Sequence, residues 1–324
     1  MRLILFDRFD EARVNFHPVA LSRPIWELRC GMTSLGEKLI RRCGAGSVAY
    51  FVPDYMAEAY REKSSAAVND ASVLAGDDLL IVDARVKADG FNVPTTGRSE
   101  LGLDAEGNLQ YARIRRADAS KLPSGDVDRF IEAAKAALPA VKSSLPSWKY
   151  IWELVLANSE QITCDFAAAG RAGTEGRVEQ PNAVRGGRKD VYIAPGAVVQ
   201  PMVVIDATAG PVYIDEGAEI HPFTRIEGPC YVGKGSILLG AKCREGNSIG
   251  PVCRVGGEVE ESIIHGYSNK YHDGFLGHAY VGEWVNLGAL TTNSDLKNDY
   301  SDVSVMLDGK NPIDTGSRKV GSLI

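Results

Sequence analysis

His272 stands in a glycine-flanked run, His272-Asp273-Gly274-Phe275-Leu276-Gly277, with a guanidinium upstream at Arg254 and two amides downstream at Asn286 and Asn293. An imidazole with an ordinary pKa near 6.5 is the side chain best suited to take a proton at neutral pH. Backbone amides fixed around Gly274–Gly277, together with the Asn293 amide, can hold a developing oxyanion. A guanidinium matches phosphate oxygens in a two-pronged way, which suits Arg254 to a phosphorylated ligand. The chemistry these types serve is proton removal from an attacking amine or hydroxyl beside a bound phosphate. A second group lies in LSRPIWELRCG (21–31), where Arg23 and Arg29 flank Trp26 and Glu27. Arg23 there either holds a phosphate or pairs with Glu27 or Asp7 to fix a loop.

The remaining histidines read as structural. His265 and His278 fall on other sides of the same repeat, and His221 sits at a corner in IHPFTR. No His, Cys and carboxylate cluster has zinc-ligand spacing. Six cysteines form no CxxC pair, so a reducing, cytoplasmic setting is expected, with Cys230, Cys243 and Cys253 in the core. Lys plus Arg is 36 against 42 Asp plus Glu, a net charge of −6 without a basic run, which argues against nucleic-acid binding. No apolar stretch reaches the ~18 residues of a membrane span. The N-terminal apolar run is too short for a secretory signal and reads as a first strand.

The groups around His272 need a rigid wall, and the second half supplies one. Ile214, Ile220, Ile226, Val232 and Leu238 recur every six residues, and the small residues Ala218, Thr224, Cys230 and Ser236 share the period. Ile193, Val199 and Ile205 repeat at six as well, before a slip in register. Six fits neither a 3.6-residue helix nor a two-residue strand alternation. It predicts a parallel β-helix of hexapeptide repeats, aliphatic residues filling the axis and glycines such as Gly217, Gly228 and Gly235 turning the corners. Of the 34 glycines, 21 lie after residue 180, which marks the change of architecture.

The first half alternates strands at 3–6, 47–52 and 78–86 with helices at 33–43, 54–63, 126–143 and 148–158. This predicts an α/β domain with a partial Rossmann-type sheet. The expected division is an α/β domain over 1–166, a linker over 167–180 and the β-helix over 181–324. Residues 301–312 read as a protruding hairpin with an Asp-Gly turn.

Phe6-Asp7, LSRPIWELRCG, DLLIVDARV (78–86) and YIWELVLANSEQITCDF (150–166) resemble a divergent family of sugar nucleotidyltransferases. Joined to a hexapeptide β-helix, the chain is similar to the bifunctional N-acetylglucosamine-1-phosphate uridyltransferase/glucosamine-1-phosphate acetyltransferase type. The acetyltransferase part resembles that type at Gly250-Pro251-Val252-Cys253-Arg254, at His272–Gly277, at Val281–Ala289 and at Asn293-Ser294-Asp295. The resemblance implies a left-handed winding and a homotrimer. It also implies acetyl-CoA as co-substrate and a sugar phosphate or sugar nucleotide as acceptor. His272 is then the base, and Arg254, Asn286, Asn293, Arg23 and Arg29 bind substrate. Asp83, in Val82-Asp83-Ala84-Arg85, is the residue left to hold Mg²⁺, with Arg85 on a phosphate.

The departures are specific. RFDEARVNFHP (8–18) contains no glycine where the family has a phosphate-cradling loop, so nucleotidyl transfer is expected to be slow or absent. The lysine expected after Arg254 is missing from EVEESII (258–264). Another coil is expected where the sequence reaches GSLI (321–324). Two alternatives stand beside acyl transfer: a sugar-1-phosphate nucleotidyltransferase whose β-helix serves assembly, and a scaffold or ligand-binding protein in which both sites are lost.

Overall fold

The computed structural model describes residues 1–8 and 10–324, and the chain divides into two compact units. The first comprises 1–16, 20–28 and 34–149, and the second 17–19, 29–33 and 150–324. The division therefore falls at Lys149/Tyr150, not near residue 166. Residues 167–180 are not a linker either: they hold the end of the helix Asn158–Ala169 and the first two strands of the β-helix, Gly173–Thr174 and Arg177–Val178.

Among the described residues the first unit holds one mixed sheet of seven strands. Its order is Ala67–Val68, Ser47–Phe51, Arg2–Phe6, Leu79–Asp83, Leu109–Ile114, Glu100–Leu103, Ala140–Lys142. The first four strands run parallel, the next is antiparallel, and the last is an edge parallel to its neighbour. The helix Leu35–Cys43 starts at Ser34, whose side chain accepts from the Glu37 amide while Glu37 returns the bond, and it stops at Gly44 with φ 59°. The helix expected over 126–143 covers Val127–Ala137, capped by Asp126. Pro139 cannot continue it, and Ala140–Lys142 joins the sheet instead. Ile4, Phe6, Phe51, Leu79, Ile81, Leu101 and Phe130 form the core on one face.

The sheet order reverses beside Arg2–Phe6. The chain builds outward to Ala67–Val68, then crosses back so that Leu79–Asp83 lies on the other side of the first strand. The carboxyl ends of these two strands, at Asp7 and Asp83, form the switch point where open α/β sheets place ligands.

The second unit is a stack of parallel coils with three sides. Its first side runs through Val191–Ile193, Val212–Ile214, Cys230–Val232, Asn247–Ile249, Ile263–Gly266 and Tyr280–Glu283. Ile214 pairs with Val232 and Ile220 with Leu238, a regular coil of 18 residues, or three hexapeptides. The slip before it is a longer turn, because Ile193 pairs with Ile214. Later coils shorten, and Val255 pairs with Lys270. Both predicted series face inward: Ile214, Ile220, Ile226, Val232 and Leu238 are wholly buried, and so are Ala218, Cys230 and Ser236. The hydroxyl of Ser236 donates to the Gly250 carbonyl and accepts from the Cys253 amide, which stitches successive corners. Beyond the last full coil, residues 322–324 lie parallel to it, with one isolated bridge from Tyr280 to Leu323. The Tyr280 amide donates to the Ser322 carbonyl, and the Gly282 amide to that of Ile324. The predicted hairpin is present as Ser304–Val305 against Ile313–Asp314. None of the six cysteines is in a disulfide. No helix among the described residues is long and apolar enough to cross a membrane.

Candidate functional site

On the second side of the β-helix the outward positions of successive coils form a polar ladder. Arg254 pairs in register with Asn269, and Asn269 bridges to Asn286. Arg254 and Asn286 are exposed, and the Asn269 Nδ2 donates to the Asn286 Oδ1 at 2.8 Å. Three residues beyond Asn269 the chain turns a corner, and His272 lies there, exposed. No side-chain hydrogen bond holds its imidazole among the described residues, and the Tyr271 ring lies edge-on to it at 6.2 Å. Arg254, His272 and Asn286 thus belong to three successive coils, Arg254 and Asn286 in the column of Asn269 and His272 three residues along the chain from it.

Asn293 is anchored on the preceding coil. Its Oδ1 accepts from the Gly277 amide and its Nδ2 donates to the Gly277 carbonyl, both at 3.0 Å. Each end of the amide thus makes one bond to backbone, so the side chain imitates a strand neighbour, and the second N–H of Nδ2 is the donor it has left for a ligand. Asp273 does not orient the histidine through any hydrogen bond among the described residues.

Two features were not singled out from the sequence. The first is Lys270, buried at 3% exposure, whose Nζ donates to the carbonyls of Gly256 at 2.9 Å and His272 at 3.0 Å. Burial lowers its pKa below the usual lysine value, against the opposing pull of Asp273 and Cys243. It lies on the coil after Arg254, but inside the axis, so it does not supply the substrate lysine missing from 258–264. The second is a carboxylate clamp on His278. Its Nδ1 meets Asp295 Oδ2 at 2.7 Å and its Nε2 meets Glu261 Oε2 at 3.0 Å. Burial alone would lower the imidazole pKa, but hydrogen bonds and charge from Glu261 and Asp295 together raise it. His265 is buried against the Tyr280 hydroxyl at 3.2 Å, a structural contact as expected.

At the switch point of the first unit the charges answer one another. Asp83 Oδ1 accepts from the backbone amide and Nε of Arg85, and its Oδ2 accepts from Arg85 Nη2 at 2.8 Å. Arg85 also forks onto both oxygens of Asp10 at 3.1 Å. Arg13, almost wholly buried, reaches both oxygens of Asp7 at 3.3 Å and the carbonyls of Ala20 and Arg23. Burial raises Asp7 to about 6, against the lowering charge of Arg13. A magnesium ion at Asp83 does not fit this arrangement, because Arg85 occupies both carboxylate oxygens. No group of three or more His, Cys, Asp or Glu side chains among the described residues is arranged to hold a metal.

The two arginines of the 21–31 motif part company. Arg23 is buried in the first unit. Arg29 belongs to the second, where the Tyr280 hydroxyl accepts from its amide at 2.7 Å and donates to its carbonyl at 3.1 Å. The Arg29 guanidinium donates to the Met32 carbonyl and lies 5.7 Å from the centre of the Tyr231 ring. One of its guanidinium nitrogens thus fixes this segment.

A sugar nucleotidyl transferase family profile matches residues 3–172, more than half of the chain. The chain belongs to the sugar nucleotidyl transferase family. It is therefore a transferase by descent, and the family region runs through the first unit and into the helix Asn158–Ala169. Curated relatives share partial stretches. The "Bifunctional protein GlmU" of Jannaschia sp. (strain CCS1) is 34% identical over 148 residues, 44% of this chain and 31% of that protein. The protein of the same name from Acidovorax ebreus (strain TPSY) is 34% identical over 134 residues, 40% of this chain and 25% of the relative. That of Anaplasma marginale (strain Florida) is 34% identical over 120 residues, 35% and 27% respectively. The matched stretches span about a third or less of these relatives.

Proposed function

We propose that the second unit transfers an acetyl group from acetyl-CoA to a sugar phosphate or sugar nucleotide, with His272 as general base. The observation that carries this reading is the exposed, uncommitted imidazole at a corner beside Arg254 and Asn286. An imidazole already held between carboxylates, like that of His278, has no free lone pair to accept a substrate proton. In the reaction His272 takes the proton of the acceptor amine or hydroxyl as its lone pair attacks the thioester carbonyl. The tetrahedral oxyanion collapses, the C–S bond breaks, and CoA leaves as the thiolate, which is then protonated. Oxyanion stabilisation comes from backbone amides of the corner, from Asn286 and from the second N–H of the Asn293 amide, whose first N–H is held by the Gly277 carbonyl. Arg254 anchors the acceptor phosphate.

We further propose that the β-helix winds left-handed and that the active form is a homotrimer in a cytoplasmic setting. Support comes from the hexapeptide period, the relatives' partial identity and the reduced cysteines. In this reading the first unit binds a phosphorylated sugar or nucleotide and transfers nucleotidyl groups poorly, since its switch-point charges are satisfied internally.

The deciding assay is CoA release from acetyl-CoA with a panel of hexosamine phosphates and sugar nucleotides, run on the native chain and on His272→Ala. Loss of a positioned base costs about 10²–10⁴-fold in rate. The variant is expected to melt with the native protein, because the side chain fills no core. An equally active His272→Ala protein removes the assignment.

A further inference from the structure

The axis of the β-helix is aliphatic along its second side until one residue breaks the pattern. Val199, Ile220, Leu238 and Val255 stack in register and are essentially wholly buried, and the next position in that column is Lys270. An ammonium there is costly. Burial opposes its charge, and no carboxylate lies within ion-pair distance of Nζ among the described residues. An aliphatic residue would fill the same column at no electrostatic cost.

The ammonium instead makes two charge-assisted hydrogen bonds to carbonyls that a methyl group could not serve, Gly256 on the preceding coil and His272 on its own. The corner is shaped to admit it. Gly257 has φ 67°, and a Cβ there would lie 2.9 Å from Nζ; a Cβ on Gly256 would lie 2.1 Å from the Tyr271 carbonyl oxygen. Gly274, with φ 129°, closes the turn, where a Cβ would meet the Thr291 carbonyl at 2.2 Å. The carbonyl of the residue carrying the exposed imidazole is thus pinned from inside the β-helix.

We infer that Lys270 is a positioning residue: its ammonium fixes the corner 271–274 and so aims the His272 imidazole at the acceptor. This rests on His272 being the base. Lys270 touches no substrate itself, because its head group lies within the axis. Misplacing a catalytic group by about 1 Å costs on the order of 10²-fold in rate, so the electrostatic cost of a buried ammonium has a counterpart in turnover.

The test uses the full chain with Lys270→Met, which fills the column without charge, and Lys270→Gln, which keeps an N–H donor. Lys270→Met is expected to melt at or above the native temperature and to exchange the amides of 271–274 faster. Its turnover with acetyl-CoA should fall about 10²-fold with KM for acetyl-CoA unchanged, and Lys270→Gln should recover part of both. Native exchange at 271–274 in Lys270→Met overturns the inference, as does turnover within twofold of native. If Lys270→Met does not fold, the exchange and turnover of Lys270→Gln decide on the same terms, and a native-like result overturns the inference. If His272→Ala proves as active as the native chain, the acyl-transfer reading fails and, with it, the aiming role, whatever the exchange data show. If His272→Ala is inactive and Lys270→Met is native-like, only the present inference falls.

Discussion

His278 and His272 are six residues apart and have opposite fates. His278 is 3% exposed and lies between Glu261 and Asp295, so its proton stabilises the folded chain. Its pKa is raised from 6.5, so this contribution is complete below about 6.5 and is lost as pH rises through the folded value. Glu261 is held below its usual 4.5 by the hydrogen bond from His278, so its contribution is complete above 4.5 and is lost as pH falls through the folded value. The clamp is therefore intact between about 4.5 and 6.5. His278→Gln should lower stability most in that window, by about 3 kcal/mol, and should flatten the decline of melting temperature above pH 6.5. A melting curve against pH that keeps its native shape in the variant would contradict this account. At His272 the expectation is the reverse: little change in melting temperature and a large loss of turnover.

At the scale of elements, the stacked coils depend on the axis and on the corners for different reasons. Leu238 is wholly buried between Ile220 and Val255, so Leu238→Ala should cost about 2–5 kcal/mol. Gly250→Ala attacks a corner instead: a Cβ there would lie 1.9 Å from the His265 carbonyl oxygen, so the backbone of two coils must separate. Chemical denaturation of both variants measures these costs, and a Gly250→Ala protein of native stability would refute the close-packed corner. In the sheet of the first unit, the paired ends of Arg2–Phe6 and Leu79–Asp83 bring together Asp7, Arg13, Asp83 and Arg85. A triphosphate would have to displace Asp10 and Asp83 from Arg85. Pyrophosphate release from UTP or dTTP with a hexose-1-phosphate and Mg²⁺ is accordingly expected to stay below about 1 s⁻¹, the low end of ordinary enzyme turnover. A faster rate would move the nucleotidyltransferase reading ahead of acyl transfer.

At the scale of assembly, the flat stacked sides of the β-helix present surfaces that copies of the chain can share. Val252, Tyr267 and Trp284 recur at one corner, each with positive φ and substantially exposed, and the rings of Tyr267 and Trp284 stack at 5.0 Å. Bulky residues seldom adopt this conformation, and apolar surface of this kind marks interaction sites. Light scattering is expected to give a trimer at micromolar concentration. A stable monomer would count against the proposed assembly.

The period of six, the paired series of small and aliphatic residues, and the helix caps at Ser34 and Asp126 were all legible in the sequence, because each depends on neighbours within a few positions. Ser268 precedes Lys270 by two, as Ala218 precedes Ile220 and Ser236 precedes Leu238, so the axial place of the lysine was written in the repeat. Other assignments required the fold. That the Asn293 amide is anchored at both ends on Gly277 is visible only in the fold, and Asp83 reads as a metal ligand until Arg85 closes on it. Arg29 looks like a partner of Arg23 until Tyr280, some 250 residues away in the chain, claims its backbone. Residue type and spacing determined which groups could do chemistry. Which of them remain available was decided by contacts between residues far apart in sequence, since a hydrogen-bonding group already satisfied within the fold has little left to give a ligand.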